Sequence, residues 1–335
     1  MKKITLLLAT LLATACGQKL DPAAIRAAMP ASSVVRIDAP DPRATAGVSS
    51  LQVTPARRLA ASEAAAAQQA PLAVTSYVFA TAVNGGVFWT LAPIAWLTQV
   101  VPPPSCTDTA CTWGPGADQA ELNRWTLVVT KAGAGYDYVL SGQPKAPAGA
   151  PFVPVISGRA FPGVVEHRGH GSFEVDFDAV WAGLAHPDGA VQQDFGTLAV
   201  DYDARTAVHL DVSFLDARNG DDPGVDPANP NRANAVYSFD ATAAGGDLQL
   251  GWHTAAPYSA DYLDEQVGLH TRWDAAAGGA GRGDFRYARV GAALEFSQCW
   301  DGAPSYAMTF DGSGPSGDAA ACAFAQAAPP TITVP

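Results

Sequence analysis

The chain has 335 residues, of which 32 are acidic and 20 are lysine or arginine, so its formal net charge is −12 at pH 7. This balance argues against nucleic-acid binding and against docking on anionic lipid surfaces, because both require basic patches. Apolar residues make up 48% of the chain, which is enough for a sizeable hydrophobic core.

The first 15 residues have the three parts of a secretory signal peptide. Lys2 and Lys3 precede an apolar run from Ile4 to Ala13, and small residues follow before Cys16. The run is shorter than the roughly 20 residues that a membrane-spanning helix needs. We therefore expect residues 1–15 to be removed as a signal peptide, which takes two lysines away and brings the net charge to −14.

Residues 13–16, Ala-Thr-Ala-Cys, resemble the lipobox of bacterial lipoproteins, in which Leu and two small residues precede a cysteine. The match departs from the lipobox at its first position, where Ala13 stands in place of Leu. The nearest leucine, Leu12, lies one position earlier. The resemblance implies a diacylglycerol thioether on Cys16 and an acyl chain such as palmitate on its amine, and several acyl chains anchor a protein stably. In that family Gly17 after the cysteine implies the outer membrane. The alternative is a secreted protein without lipid.

The four remaining cysteines are Cys106, Cys111, Cys299 and Cys322. An even number of cysteines in an exported protein suggests disulfides. We predict the pairs Cys106–Cys111 and Cys299–Cys322, because each closes a short local loop. A zinc site is the alternative, although the spacing lacks the paired CxxC of zinc-binding knuckles.

The segment before the strands is divided by its composition into two parts. Residues 16–55 are rich in Ala, Pro, Ser and Asp, and we predict a lipidated N-terminus with a flexible tether. Residues 56–101 are predicted to be helical, because 57–70 has high helix propensity and Pro71 suits a helix start.

No charged residue occurs from Ala64 to Thr107, so a helix here is either a membrane span or a buried core helix. The buried helix would be broken near Asn84 and again at Pro93. Polar residues distributed through the segment favour the buried helix, because they are costly in contact with lipid.

Residues 102–335 show the period-two alternation of strands with one buried face. In one example, Val208, Leu210 and Val212 alternate with His209 and Asp211. The predicted strands are 125–131, 136–142, 152–160, 172–178, 196–202, 208–214, 234–240, 248–253, 266–273, 284–290, 293–300 and 305–310. We predict a mainly β fold, a large antiparallel meander forming a curved sheet, half-barrel or barrel, with N-terminal helices packed on or in it.

This arrangement is similar in outline to the half-barrel lipoprotein carriers of bacterial envelopes, and the similarity carries no residue motif. It implies noncatalytic binding of a lipid or another apolar or amphipathic molecule between helix and sheet. The ligand-lining candidates are Val78, Phe88, Trp89 and Trp96. A structural or interaction lipoprotein without a ligand is the alternative, and a metal-dependent enzyme is a third.

Metal binding has two weak candidate positions. His167 and His170 lie beside Glu166 in a glycine-containing turn, but their order matches no hydrolytic zinc motif. The loop 216–231 contains Asp221, Asp222 and Asp226, which offer oxygen ligands as calcium sites do, without EF-hand spacing. We favour an exposed turn and an exposed loop over metal binding at the two positions.

Catalytic motifs give no further candidate. GxSxG and the P-loop are missing from the sequence, so we expect neither catalysis nor a cofactor. His209, His253 and His270 fall on the polar phase of predicted strands, where neighbouring strands could bring them together with Asp201 or Asp211. A solvated sheet face is the alternative.

Overall fold

One antiparallel sheet of 15 strands contains 47% of the residues that the structure describes. The computed structural model describes residues 19–42, 69–101, 105–117, 121–190, 192, 195–218, 232–254, 265–289, 291–303, 306–314 and 316–330. The strands are β1 (Ser105–Cys106), β2 (Ala110–Gly116), β3 (Asn123–Ala132), β4 (Gly135–Pro144), β5 (Val153–Phe161), β6 (His170–Asp176), β7 (Thr197–Asp203), β8 (His209–Arg218), β9 (Arg232–Ala241), β10 (Gly245–Thr254), β11 (Glu265–Asp274), β12 (Ala280–Arg289), β13 (Ala292–Trp300), β14 (Met308–Asp311) and β15 (Ser316–Gly317). The helices in these ranges are α1 (Pro22–Ala28), α2 (Pro71–Gln99), α3 (Phe177–Gly183) and a 3-10 turn at Ala319–Ala321.

The strands lie in the sheet in the order of the sequence, each antiparallel to the one before it. The two ends of the sheet, β1 and β15, do not pair, so the sheet is unclosed. The predicted fold class, a mainly β meander in a curved sheet, is confirmed. Each predicted strand range overlaps one of the strands β3 to β14.

Alternation along the strands gives the sheet two different faces. On one face, Val212 in β8 pairs with Val200 in β7 and Tyr237 in β9, and all three side chains are buried. On the opposite face, Asp211 in β8 pairs with Asp201 in β7, and both are exposed. We call these the inner face and the outer face.

Helix α2 packs on the inner face and contacts β2 and β3 near one end of the sheet as well as β11 and β12 near the other. A single helix can touch both ends only if the sheet curls around it. Phe79 also packs edge-on against Tyr237 in β9, with ring centroids 5.2 Å apart. The buried side chains recur every three or four residues, as one face of a helix requires; they include Leu72, Ser76, Ala80, Val83, Val87, Leu91, Ile94 and Leu97.

The predicted breaks in this helix near Asn84 and at Pro93 do not occur, because α2 runs continuously from Pro71 to Gln99. Interior glycine costs about 1 kcal/mol and interior proline about 3 kcal/mol relative to alanine. Tertiary packing of the buried stripe outweighs that cost. Asn84 also fixes the helix to the preceding segment, since its side chain accepts from Ile37 N and donates to Ile37 O, both at 2.8 Å.

Two of the four ligand-lining candidates, which were predicted to lie between α2 and the sheet, do not face the sheet. Trp89 is 75% exposed and Phe88 is 51% exposed. Apolar residues occur all around α2, so its sequence does not mark which side is buried. Trp96 is half-buried over Gly116 in β2, where an added Cβ would lie 3.2 Å from the Trp96 ring.

Of the helices in the described ranges, α2 alone is long and apolar enough to cross a membrane, with a mean hydropathy of 1.4 in its most apolar 18-residue stretch. Length and composition fit a span, and only 28% of that stretch is buried. The stripe of buried side chains on the sheet favours a helix packed in the protein.

Residues 19–42 differ from the predicted flexible tether, since they pack along the protein. Leu20 N donates to Thr107 O at 2.8 Å, and Ile25 in α1 is fully buried. Val35 and Ile37 are 1% exposed, and Pro40 contacts Gly279 in the turn between β11 and β12. Residues 19–42 contain few apolar side chains, but these side chains are buried against the ends of the sheet hairpins.

Both predicted cysteine pairs are confirmed. Cys106 and Cys111 join β1 to β2, with Cα atoms 4.1 Å apart. Cys299 in β13 joins Cys322, with Cα atoms 5.8 Å apart. The second disulfide holds the segment after β15 against the outer face.

Candidate functional site

The outer face places His209 between two carboxylates. Its Nδ1 lies 2.7 Å from Asp240 Oδ1 and its Nε2 lies 2.9 Å from Asp211 Oδ2. Partial burial alone lowers the pKa of His209, but the hydrogen bonds to Asp240 and Asp211 outweigh it, so the pKa is raised above its ordinary value. In the protonated form, both ring nitrogens of His209 donate to these carboxylates.

A second histidine continues this polar strip across the next two strands. Asp240 in β9 is the register partner of Asp247 in β10, and Asp247 Oδ1 lies 2.8 Å from His270 Nε2. His209 and His270 thus share one strip of the outer face, with two carboxylates between them. His253 lies at the other end of β10 from Asp247, opposite Asn234 in β9, so the three histidines do not share one site.

The predicted metal ligands His167 and His170 do not converge. His167 Nδ1 lies 3.0 Å from Met29 O, which directs the ring toward the segment after α1. His170 instead stacks on Phe161, with ring centroids 4.6 Å apart. Among the residues that the structure describes, no group of three His, Cys, Asp or Glu side chains could hold a metal ion. The calcium candidates Asp221, Asp222 and Asp226 lie outside the described residues.

Two adjoining open grooves lie on the outer face. The first, about 330 Å³, crosses β7 to β10 and is bounded at one end by Pro330. The second, about 340 Å³, crosses β5 to β8 and includes Arg159, His170 and His209. Asp201 lines both.

The charges around the second groove are paired with one another. Arg159 Nε lies 2.5 Å from Asp137 Oδ1. The hydrogen bond from Arg205 lowers the pKa of Asp203 to about 2, so this carboxylate stays ionised. Paired and partly exposed groups of this kind lack the strongly perturbed protonation that marks a catalytic acid or base.

The inner face offers buried tyrosines in place of a charged site. Burial raises the pKa values of Tyr138, Tyr202 and Tyr237, so all three phenols stay neutral. Since α2 packs against this face, the predicted ligand-lining set is not assembled there. Val78 and Trp96 are half-buried, whereas Phe88 and Trp89 lie on the exposed side of the helix.

The exposed side of α2 presents an aromatic pair, Phe88 and Trp89. Their ring centroids are 5.5 Å apart in an edge-on arrangement. No charged residue lies within the helix, so the neighbours of the pair along α2 are uncharged. An exposed tryptophan and phenylalanine side by side are typical of a surface that contacts an apolar partner or a membrane interface.

A buried charged cluster was not predicted. Asp284 in β12 is 1% exposed and accepts from Arg282 Nε at 2.9 Å and from Ser297 Oγ at 2.6 Å. Arg272 Nη2 and Ala327 N also donate to its other oxygen, both at 3.2 Å. All four strand residues lie on the polar phase, and residues 318–330 cover them.

No protein-family model, curated protein or solved structure matches this chain.

Proposed function

We propose that this protein is a noncatalytic lipoprotein of a bacterial envelope, anchored by lipid on Cys16, that binds membrane lipid through the aromatic pair on α2. The observation that carries the proposal is the exposure of Trp89 and Phe88 on an uncharged helix. The lipobox resemblance supplies the anchor, and its Gly17 supports the outer membrane as the location.

The short connection to the anchor supports lipid contact by the folded domain. Leu20 is already hydrogen-bonded to Thr107 O. The four residues from Cys16 to Leu20 reach at most about 14 Å. A lipid on Cys16 would therefore hold the domain against the bilayer surface, where an exposed apolar side chain gains free energy by entering the headgroup region.

Charge favours a neutral lipid surface. The mature chain would carry a formal charge of −14, which opposes approach to anionic lipid. Tryptophan and phenylalanine on an uncharged helix bind by apolar burial, worth about 1.5–3 kcal/mol for a fully buried phenylalanine. We therefore infer zwitterionic lipid as the occupant.

The filled inner face favours an interaction lipoprotein without a ligand as the second candidate. Side chains of α2 such as Val87 and Leu91 occupy the space between helix and sheet. In this candidate the aromatic pair contacts another protein chain, and lipid binding is absent.

The test is vesicle flotation with the Cys16→Ser protein, which lacks the anchor, and phosphatidylcholine vesicles. Adding Phe88→Ala and Trp89→Ala should weaken partitioning at least about tenfold, since 1.4 kcal/mol of lost apolar burial corresponds to a factor of ten. The matched control changes Val164 and Val165 to alanine, because both are also exposed apolar neighbours, in the turn between β5 and β6.

Equal flotation of the aromatic variant and its parent would contradict lipid binding by this surface. Sedimentation of the same samples without vesicles tests the second candidate, in which the aromatic pair contacts another protein chain. A parent that self-associates and an aromatic variant that is monomeric would assign the surface to a second copy of the chain, which also contradicts the proposal.

A further inference from the structure

Two arginines lie opposite each other on neighbouring strands beneath the segment after β15. Arg272 in β11 is the register partner of Arg282 in β12, on the outer face. Like charges directly opposite one another destabilise a strand pair. The Arg282 side chain is 6% exposed and that of Arg272 is 18% exposed, so water screens the two cations only weakly. The pair therefore requires acceptor groups close by.

One carboxylate of the sheet contacts both cations. Asp284 lies 2.9 Å from Arg282 Nε and 3.2 Å from Arg272 Nη2. Asp247 is opposite Arg272 in β10, but its Oδ1 is 2.8 Å from His270 Nε2 instead. Arg272 Nε is buried and has no hydrogen-bond partner among the residues that the structure describes. Two guanidiniums with one carboxylate leave one positive charge unmatched.

Residues 318–330, which we call the tail, supply further acceptors. Phe324 O accepts from Arg282 Nη1 at 3.2 Å, and Ala325 O accepts from Arg272 Nη2. The Phe324 ring centroid lies 5.6 Å from the guanidinium carbon of Arg272, within the range of a cation–π contact. These groups are neutral, so the tail accepts hydrogen bonds from the arginines without offsetting the unmatched charge.

A disulfide fastens the tail to the sheet. It joins Cys322 in the tail to Cys299 in β13. Cys322 is half-buried, whereas Cys299 is 2% exposed, so an attacking thiol reaches Cys322 first. Arg282 Nη1 lies 3.4 Å from Cys322 Sγ, and a cation beside this sulfur stabilises the negative charge that builds up during thiol–disulfide exchange. The same arginine thus contacts both the tail and its disulfide.

We propose that Arg272 and Arg282 form a phosphate-binding site, that the tail occupies it in the oxidised protein, and that reduction of Cys299–Cys322 opens it. Arginine binds phosphate through paired, charge-assisted hydrogen bonds. Two adjacent guanidiniums need acceptors on more than one edge, which the several oxygens of a phosphate supply. A bound phosphate also offsets the unmatched charge, which the carbonyls of the tail do not.

The opening step transfers two electrons from a dithiol to the disulfide. One thiolate of the dithiol attacks Cys322 Sγ, which forms a mixed disulfide and releases Cys299 as a thiolate. The second thiol of the dithiol attacks the mixed disulfide, closes the disulfide of the reductant and releases Cys322. Two protons accompany the two electrons, so the protein gains two thiols and the tail is held by noncovalent contacts alone.

The test compares phosphate binding by oxidised and reduced Cys16→Ser protein. Calorimetric titration with inorganic phosphate should show at least about tenfold tighter binding after treatment with dithiothreitol, because an untethered tail competes less well for the arginines. The double variant Cys299→Ser, Cys322→Ser should show the same gain without reductant. The matched control, Cys106→Ser with Cys111→Ser, removes the other disulfide and should leave phosphate binding unchanged.

Two further titrations of the Cys299→Ser, Cys322→Ser protein define the site. Adding Arg272→Gln should return phosphate binding to the level of the oxidised parent. A short-chain, water-soluble phosphatidic acid distinguishes the source of the phosphate. Tighter binding than that of inorganic phosphate would assign the site to a lipid headgroup, and equal binding would assign it to free phosphate.

Three results would overturn the proposal. The first is an unchanged phosphate affinity after the disulfide between Cys299 and Cys322 is opened. The second is an equal gain in the Cys106→Ser, Cys111→Ser control. The third is loss of the β-sheet circular dichroism signal on reduction, because the proposed opening leaves the sheet intact.

Discussion

Replacing Asp284 with alanine should lower the free energy of unfolding by about 3–5 kcal/mol, because it leaves buried cations without their partner. The Arg282 side chain is 6% exposed and that of Arg272 is 18% exposed, and Asp284 is the carboxylate that both contact. The substitution also removes the acceptor for Ser297 Oγ and for Ala327 N. Denaturant unfolding of the Cys16→Ser protein measures the change.

The matched control is Glu295→Ala, which removes a carboxylate from the same region of the sheet. Glu295 pairs with Arg286 at 3.4 Å, but the two side chains are 62% and 44% exposed. Exposed ion pairs contribute about 0–1 kcal/mol. If Asp284→Ala costs no more than Glu295→Ala, residues 318–330 do not bury the cluster as described.

Replacing Leu97 with alanine should cost about 2–5 kcal/mol, because it opens a cavity in a packed core. Leu97 is fully buried on the stripe of α2 that faces the sheet. Trp89 lies on the other side of the same helix, so Trp89→Ala should change the free energy of unfolding by less than about 0.5 kcal/mol. The two variants alter opposite sides of the same helix. One denaturant titration compares their free energies of unfolding.

The outcome decides between the two interpretations of the helix. A large loss for Leu97→Ala with little change for Trp89→Ala supports a helix that is part of the core. An unchanged midpoint for Leu97→Ala would contradict that packing and favour α2 as a membrane span. A large loss for Trp89→Ala would show that the buried side of the helix is assigned wrongly.

The strands were predictable because the sheet has one covered and one solvated face. In β8, Leu210 and Val212 alternate with His209 and Asp211, and this period gives both the strand and its orientation. The end of β6 was not predicted, because Phe177 and Asp178 keep the alternating pattern. There the Asp176 side chain accepts from Ala179 N at 2.8 Å and begins α3 instead.

The buried side of α2 and the packing of residues 19–42 were not predictable from composition. Apolar residues surround α2, so only contact with the sheet selects its buried stripe. Val35 and Ile37 alternate with the exposed Arg36, a short period-two signal inside a segment whose overall composition is typical of a linker.

The polar partners on the outer face depend on strand register. The sequence places His209 on the polar phase, and pairing with β9 then brings Asp240 opposite to it. Asp284 carries the same polar-phase signal, but its burial depends on residues 318–330, more than 30 positions later in the chain. Neither contact follows from local periodicity.

The most direct test of the account is the intact mass of the protein purified from bacterial membranes. We expect a chain that begins at Cys16, carries a diacylglycerol thioether and an amide-linked acyl chain, and contains the disulfides Cys106–Cys111 and Cys299–Cys322. A mass without lipid, or a chain cleaved at another residue, would contradict the lipid-anchored protein proposed here.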